Sequence, residues 1–197
     1  SEGLAIVSLN SKYGFIDISG KEIAPLKYED VRKDPGEPVR VKLNNKWGFV
    51  DKTGKELTLL KYNNIGYVSW HGLYDFTVDK KHGYLDKTGK EITPLYEAVD
   101  GFAEGLGKVQ SGYKIGFIDS TGKEIIPPAY GDAHSFSDGL CAVQGSNVNK
   151  WGYIDKTGKE VIPLQFDYAF SFTKDGKAKV RLKDKTFFID KTGKEVQ

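Results

Sequence analysis

Several things are scarce in this chain, and each scarcity excludes a class of protein. It has one cysteine, Cys141, so no disulfide can form within it. Cys141 lies in Gly-Leu-Cys-Ala-Val, where sister segments carry small strand residues, and it reads as a buried structural thiol rather than a reactive one. The only histidines are His71, His82 and His134, with no further Cys or His at metal-ligand spacing. No apolar run approaches the roughly 20 residues of a membrane-spanning helix, and no signal peptide is visible. Methionine is absent even at position 1, so the sequence reads as a processed or excised product, from which any export signal would be gone. Net charge is only +2, from 29 basic and 27 acidic residues, which argues against a dedicated nucleic-acid binder.

What is present is a repeat. The segment Lys46 to Leu57, KWGFVDKTGKEL, recurs as KYGFIDISGKEI from Lys12, KHGYLDKTGKEI from Lys81, KIGFIDSTGKEI from Lys114, KWGYIDKTGKEV from Lys150 and KTFFIDKTGKEV from Lys185. The six starts are 34, 35, 33, 36 and 35 residues apart, which marks a repeat architecture. Because the repeats run from end to end, we read one domain over residues 1–197, with units at 3–33, 34–67, 68–103, 104–137, 138–172 and 173–197. Aromatics at 13% and 23 glycines suit strands joined by frequent turns.

Each unit reads as an antiparallel meander. In the first, Gly3–Val7 and Lys12–Asp17 are strands joined by the turn Asn10-Ser11. A second turn through Gly20 leads to a third strand, Glu22–Leu26, and Tyr28–Val31 would add a short fourth. Within the key strand Trp47 and Phe49 face one way and Gly48 and Val50 the other, so the sheet should be covered on both faces. Gly48, like Gly14, Gly83, Gly116 and Gly152, is placed to let a backbone or ring approach closely. Recurrent aromatics (Tyr28, Tyr62, Tyr96, Tyr130 and Phe166, then Phe102, Phe136 and Phe172) are expected to be core pillars stapling unit to unit. The fold expected is all-β: six meander repeats of about 35 residues in an open solenoid-like array, with a six-bladed propeller as the alternative. The open array is preferred because neither end supplies the segment that would complete a blade, and the sixth unit, with Thr186-Phe187 in place of Trp-Gly, looks like a cap.

These motifs resemble the bacterial WG (KWG) repeat family. The resemblance rests on Lys46-Trp47-Gly48 and Lys150-Trp151-Gly152, on Ile126-Pro127-Pro128-Ala129-Tyr130 and on Phe136-Ser137-Asp138-Gly139-Leu140, and it covers essentially the whole chain. Units one, three, four and six lack the tryptophan. The resemblance implies a β-rich array, often surface- or envelope-associated, with no general activity and no transferable functional residue. Trp47, Gly48, Trp151 and Gly152 are structural signature positions.

The repeated Asp-x-Thr-Gly-Lys-Glu is the one dense charged constellation, and an aspartate entering a glycine turn commonly accepts backbone amide bonds. Calcium is rejected because the intervening residues are lysines. No nucleophile–base pair is apparent, so neither an enzyme nor a cofactor is expected. Two candidate binding features remain. Trp70, His71 and Tyr74 interrupt the repeat pattern between units two and three, and would anchor a partner or simply fill the gap there. Turn lysines, including Lys52, Lys55, Lys87, Lys90, Lys156 and Lys159, would form a basic ladder if the units stack in register; the neighbouring acids favour a solvated, aggregation-resistant edge instead.

The function expected is a non-enzymatic binding or scaffold module presenting an extended surface to a protein or glycan. The alternatives are a polyanion binder using the lysine ladder on surface polysaccharide or nucleic acid, and a structural spacer of a larger surface protein. The chain would act as part of a longer chain or complex, without inserting into a membrane. A cell-envelope, surface or secreted location is expected, although an excised cytoplasmic domain would read the same.

Overall fold

The computed structural model describes residues 3–34, 36–68 and 72–197. Strands joined by turns make up the described chain, with no helix among the described residues. They fall into two compact units, residues 1–95 and 96–197. Every strand pairing among the described residues is antiparallel, and within each sheet the strands follow sequence order. In the first unit three sheets follow one another: Leu4–Leu9 with Lys12–Asp17 and Glu22–Tyr28, Asp30–Arg32 with Val39–Leu43 and Lys46–Val50, and Asn64–Val68 with Tyr74–Val78 and Lys81–Leu85. The second unit holds a seven-stranded sheet from Ala98–Ala103 to Glu160–Phe166, then a four-stranded one from Tyr168–Ala169 to Glu195–Val196. No sheet among the described residues closes into a barrel.

The first hairpin turns on Asn10 and Ser11, both at positive φ, and Asn44-Asn45 and Asp79-Lys80 repeat that geometry. Two central residues at positive φ match the twist of the flanking strands, and asparagine tolerates that region well. Both faces of Lys46–Val50 are covered, with Trp47, Phe49 and Val50 all buried.

Two details depart from the expected meander. Asp30–Arg32 does not close the first sheet. It opens the next one by pairing with Val39–Leu43, so the chain crosses between sheets just after Tyr28. The third strand is also incomplete in the second and third repeats, where only bridges remain at Val50–Glu56, Trp47–Tyr62 and Leu85–Glu91. The cause is a threonine. The Phe49 amide donates to Thr58 Oγ1 (2.9 Å) and the Tyr84 amide to Thr93 Oγ1 (3.0 Å), where Ala24, Ile126 and Ile162 hold the ladder in other repeats.

The glycine after the tryptophan position is explained by what crosses it. In the fifth repeat Trp151 pairs with Phe166 and Tyr153 with Ile162, so Gly152 alone opposes Pro163, Leu164 and Gln165. The bulged strand is pressed onto it: a Cβ on Gly152 would lie 2.4 Å from the Ile162 carbonyl oxygen. The corresponding approaches are 2.6 Å at Gly116 and 2.7 Å at Gly14, both to backbone oxygen, whereas at Gly83 the Phe76 ring approaches to 2.7 Å. Tyr28, Tyr62 and Phe166 pair with the residue before the glycine and are buried, as are Tyr96, Phe136 and Phe172, while Tyr130 and Phe102 are half-buried.

Gly152→Ala is therefore expected to destabilise the chain by about 1–3 kcal/mol, the usual cost of overpacking. Gly101→Ala, where a Cβ would meet nothing within 4 Å, should stay within about 0.5 kcal/mol of wild type. Urea denaturation of both variants checks this, and equal effects would refute the close-approach account.

Candidate functional site

The six Asp-x-Thr-Gly-Lys turns are self-contained. In each, the aspartate Oδ1 accepts from the amide two residues on (2.8–2.9 Å), from the Ser or Thr hydroxyl at that position (2.6 Å) and from the amide four residues on (3.0–3.1 Å). The glycine sits at φ between +79° and +84°. Asp17, Asp51, Asp86, Asp119, Asp155 and Asp190 are all held below the usual carboxylate range. At Asp17, Asp119, Asp155 and Asp190 the hydroxyl bond is the largest cause. At Asp51 and Asp86 burial is the largest single effect and opposes the shift, but the hydroxyl and amide bonds together outweigh it.

Lys52, Lys55, Lys87, Lys90, Lys156 and Lys159 are exposed around these turns. Part of the turn charge ties repeats together. In the second unit Lys156 pairs with Glu104 at 3.0 Å and Lys191 with Asp138 at 2.8 Å. The Glu104 carboxylate also accepts from the Gly139 amide at 3.1 Å. In the first unit Lys27 pairs with Glu56 and Lys61 with Glu91. Surface pairs of this kind contribute roughly 0–1 kcal/mol each, so they set register more than stability.

Of the aromatic candidates between repeats two and three, Trp70 and His71 lie outside the described residues. Tyr74 is a correction. It is fully buried, its ring packs edge-on against Phe49 at 4.8 Å and its hydroxyl donates to Glu37 at 2.8 Å. A ring enclosed on all sides cannot anchor a partner. The loop between the first two repeats, through Asp34 and Glu37, is instead bound to the strand Asn64–Val68 and to Tyr74. Buried Arg40 pairs with Asp34, donates to the Gly66 carbonyl at 2.6 Å and lies 4.8 Å from the Tyr67 ring. Cys141 is buried as well; its thiol donates to the His134 carbonyl, and burial pushes it up to about 12.

The unassigned chemistry sits on a strand face that the register defines. Antiparallel pairing places Ile6, Arg40, Asp75, Lys108, Ala142 and Lys179 at one equivalent position, each opposite the aromatic that follows the glycine position. These six differ while their frame repeats. That contrast was available in the sequence, but it is visible only once register is known. In the second unit the face opens into clefts at its first and last repeats. One, of about 310 Å³, is lined by Asp100, Lys108, Gln110 and Asp132. The other, of about 180 Å³, is lined by Tyr168, Phe170, Lys179, Arg181 and Thr186. Lys108 pairs with Asp100 at 3.2 Å and donates to the Ala133 carbonyl at the end of the strand that leads into the next repeat. Lys179 and Arg181 have no carboxylate at ion-pair distance among the described residues.

The last repeat is also bare where the others are covered. The aromatic after the glycine position (Phe15, Phe49, Tyr84, Phe117, Tyr153) is at most 3% exposed in five repeats, but Phe188 is 45% exposed. Phe170 beside it is equally exposed. Sequence reading missed Phe170, Lys179, Arg181 and Phe188 because the departure at Thr186-Phe187 reads as a cap, which would leave no aromatic face open.

The family model described as WG containing repeat matches residues 13–47, 47–81, 83–114, 115–145 and 151–185. Among curated proteins none matches the chain. Solved structures with some likeness include a eukaryotic initiation factor (15% identity, TM-score 0.48, covering 100% of this chain and 62% of that one). Others are a streptogramin B lyase (19%, 0.38, 98% and 82%) and Kluyveromyces lactis Hsv2 (12%, 0.42, 96% and 71%). At these scores no property of those proteins transfers to this chain.

Acidification should probe the turns. Because the six carboxylates titrate lower in the folded than in the unfolded chain, their stabilisation is complete above the unfolded value of about 4 and is lost as pH falls through the folded values. The melting temperature is expected to fall on going from about pH 5 towards pH 3, and Asp155→Asn with Asp190→Asn should flatten that fall. A melting temperature unchanged over the range would rule this out.

Proposed function

The chain belongs to the WG-containing repeat family, and on that footing we propose that it is a non-enzymatic binding and scaffold module that holds a protein partner on the outer face of its last sheet. The observation that carries this is Phe188, left open where five equivalent aromatics are enclosed. Phe170, Lys179 and Arg181 line the cleft of that sheet with an aromatic and two cations, Arg181 acting on Asp167 beyond ion-pair distance. Aromatic and arginine side chains are the residue types that most often dominate interfaces.

The polar groups elsewhere support a structural rather than a chemical role. The turn aspartates accept bonds from their own turns, the one thiol is buried, and Ser137 donates to the Phe172 carbonyl at 2.6 Å. We place the module at the cell envelope, at the surface or in secreted form, within a larger assembly. A glycan is the second class of partner this face would accept.

Affinity capture from envelope and lysate fractions tests the reading. Material retained by the wild-type chain is expected to be lost with Phe170→Ala/Phe188→Ala and kept by Lys52→Gln/Lys87→Gln/Lys159→Gln. Loss confined to the turn-lysine variant, and mimicked by added salt, would assign the binding to the basic ladder and sink the proposal.

A further inference from the structure

The first sheet of the first unit carries the counterpart of the bare face on the last sheet. Within the second unit, one repeat's aromatic face is covered by the next repeat's opposite face. Phe117 packs against Phe136 at 5.0 Å and lies in one core with Ala133 and with Cys141, Val143 and Ile154 of the following repeat. Tyr153 packs in the same way against Phe172 at 4.8 Å, in a core with Ala169, Ala178, Val180 and Ile189. The covering residues thus occupy fixed register positions. One is opposite the glycine position, one stands two residues before it, and one is the aliphatic paired with that second residue.

In the first repeat those positions are Val7, Ala5 and Ile16. The equivalent trios Val41, Val39 and Val50, and Val143, Cys141 and Ile154, are buried. Ala5 is exposed, and Val7 and Ile16 are only half-buried. Leu9, on the same face, is 62% exposed. Among the described residues, then, the first repeat's covering face and the last repeat's aromatic face are each left partly open.

We propose that these two faces dock onto each other between copies of the chain, the first sheet of one copy seated on the last sheet of another. This names the partner for the surface in the preceding section and rests on that reading. The contact reproduces the packing already used between internal repeats, with Val7, Ala5 and Ile16 over Phe188 as Val143, Cys141 and Ile154 are over Phe117. It joins two different surfaces, so it propagates head to tail. The internal repeats also show what the cations would meet. Lys108 donates to the Ala133 carbonyl, at the end of the strand that leads into the next repeat, and Lys179 occupies the equivalent position on the open face.

Sedimentation velocity over a concentration series, with Val7→Glu and Phe188→Glu, tests this. The wild-type chain is expected to self-associate as concentration rises, and each variant alone to remain a monomer with a wild-type circular dichroism spectrum. An equimolar mixture should form dimers and go no further, because Phe188→Glu keeps the first-sheet face and Val7→Glu keeps the last-sheet face. A same-face dimer would not give this rescue. The milder pair Val7→Thr and Phe188→Ser, read the same way, covers the case in which a glutamate variant fails to fold. A wild-type chain that stays monomeric, variants that still associate, or a mixture that stays monomeric would each overturn the proposal. If the wild type is monomeric yet capture still depends on Phe170 and Phe188, only self-docking fails and the binding-module reading stands. If capture is lost as well, both fail.

Discussion

The close approach of backbone to glycine in the middle of the first, fourth and fifth meanders is the constraint on which the rest depends. Three residues of the third strand bulge over one residue of the second, and the carbonyl before the bulge occupies the space a Cβ would need at Gly152, Gly116 and Gly14. A bulge bends its strand and re-aims the side chains on either side. Here it carries Phe166, Tyr28 and Tyr62 into pairing with the residue before the glycine, and there they are buried. The tryptophan–glycine pair thus does two jobs at neighbouring positions: a large side chain on one face makes the core, and its absence on the other face admits a backbone. Where the third strand is weaker, as at Thr58 and Thr93, a hydroxyl accepts the bond that the ladder lacks, and the approach at Gly48 and Gly83 involves side chains.

The turns complete the division of labour. Each aspartate closes its turn with three bonds to one oxygen, so the hairpin geometry does not rely on a neighbouring repeat. Contacts between repeats are then left to two other devices: the aromatic pillars, whose burial contributes roughly 1.5–3 kcal/mol each, and the lysine–acid pairs from Lys156 to Glu104 and Lys191 to Asp138. The sequence can vary at the remaining face positions without damage to the frame. Arg40, Asp75, Lys108, Ala142 and Lys179 show how far that variation goes.

Local grammar could be read directly from the residues. The period, the hairpin at Asn10-Ser11, the aspartate turns and the crowding at glycine all follow from short-range chemistry, because each is settled within about a dozen residues. What sequence could not show is which face a neighbour covers. Phe188 carries the same pattern as Phe117, and Val7 the same as Val143; only packing distinguishes an enclosed side chain from an open one. Tyr74 illustrates the converse. It stands beside a break in the pattern, which invited a binding role, yet its ring is buried and its hydroxyl donates to Glu37. Irregularity at Tyr74 marked a buried contact, while the open surface lay in the last repeat, where Thr186-Phe187 in place of Trp-Gly reads as a cap.

A stack of repeats has a difficulty at its ends that a globular core does not have. Each repeat buries its aromatic face only if another follows, so terminal repeats need a polar outer face or a partner. The last repeat has two cations on that face, but it also keeps Phe170 and Phe188, so it is polar without being a cap. Within a chain, docking one face on another costs little, because the connecting turn has already brought them together. Between separate chains the same contact must overcome roughly 4–15 kcal/mol of lost translational and rotational freedom. One aromatic and a few small aliphatics return only part of that. A face of this composition therefore holds a separate partner weakly and reversibly, and holds it firmly only where tethering or repetition of the contact raises the effective concentration.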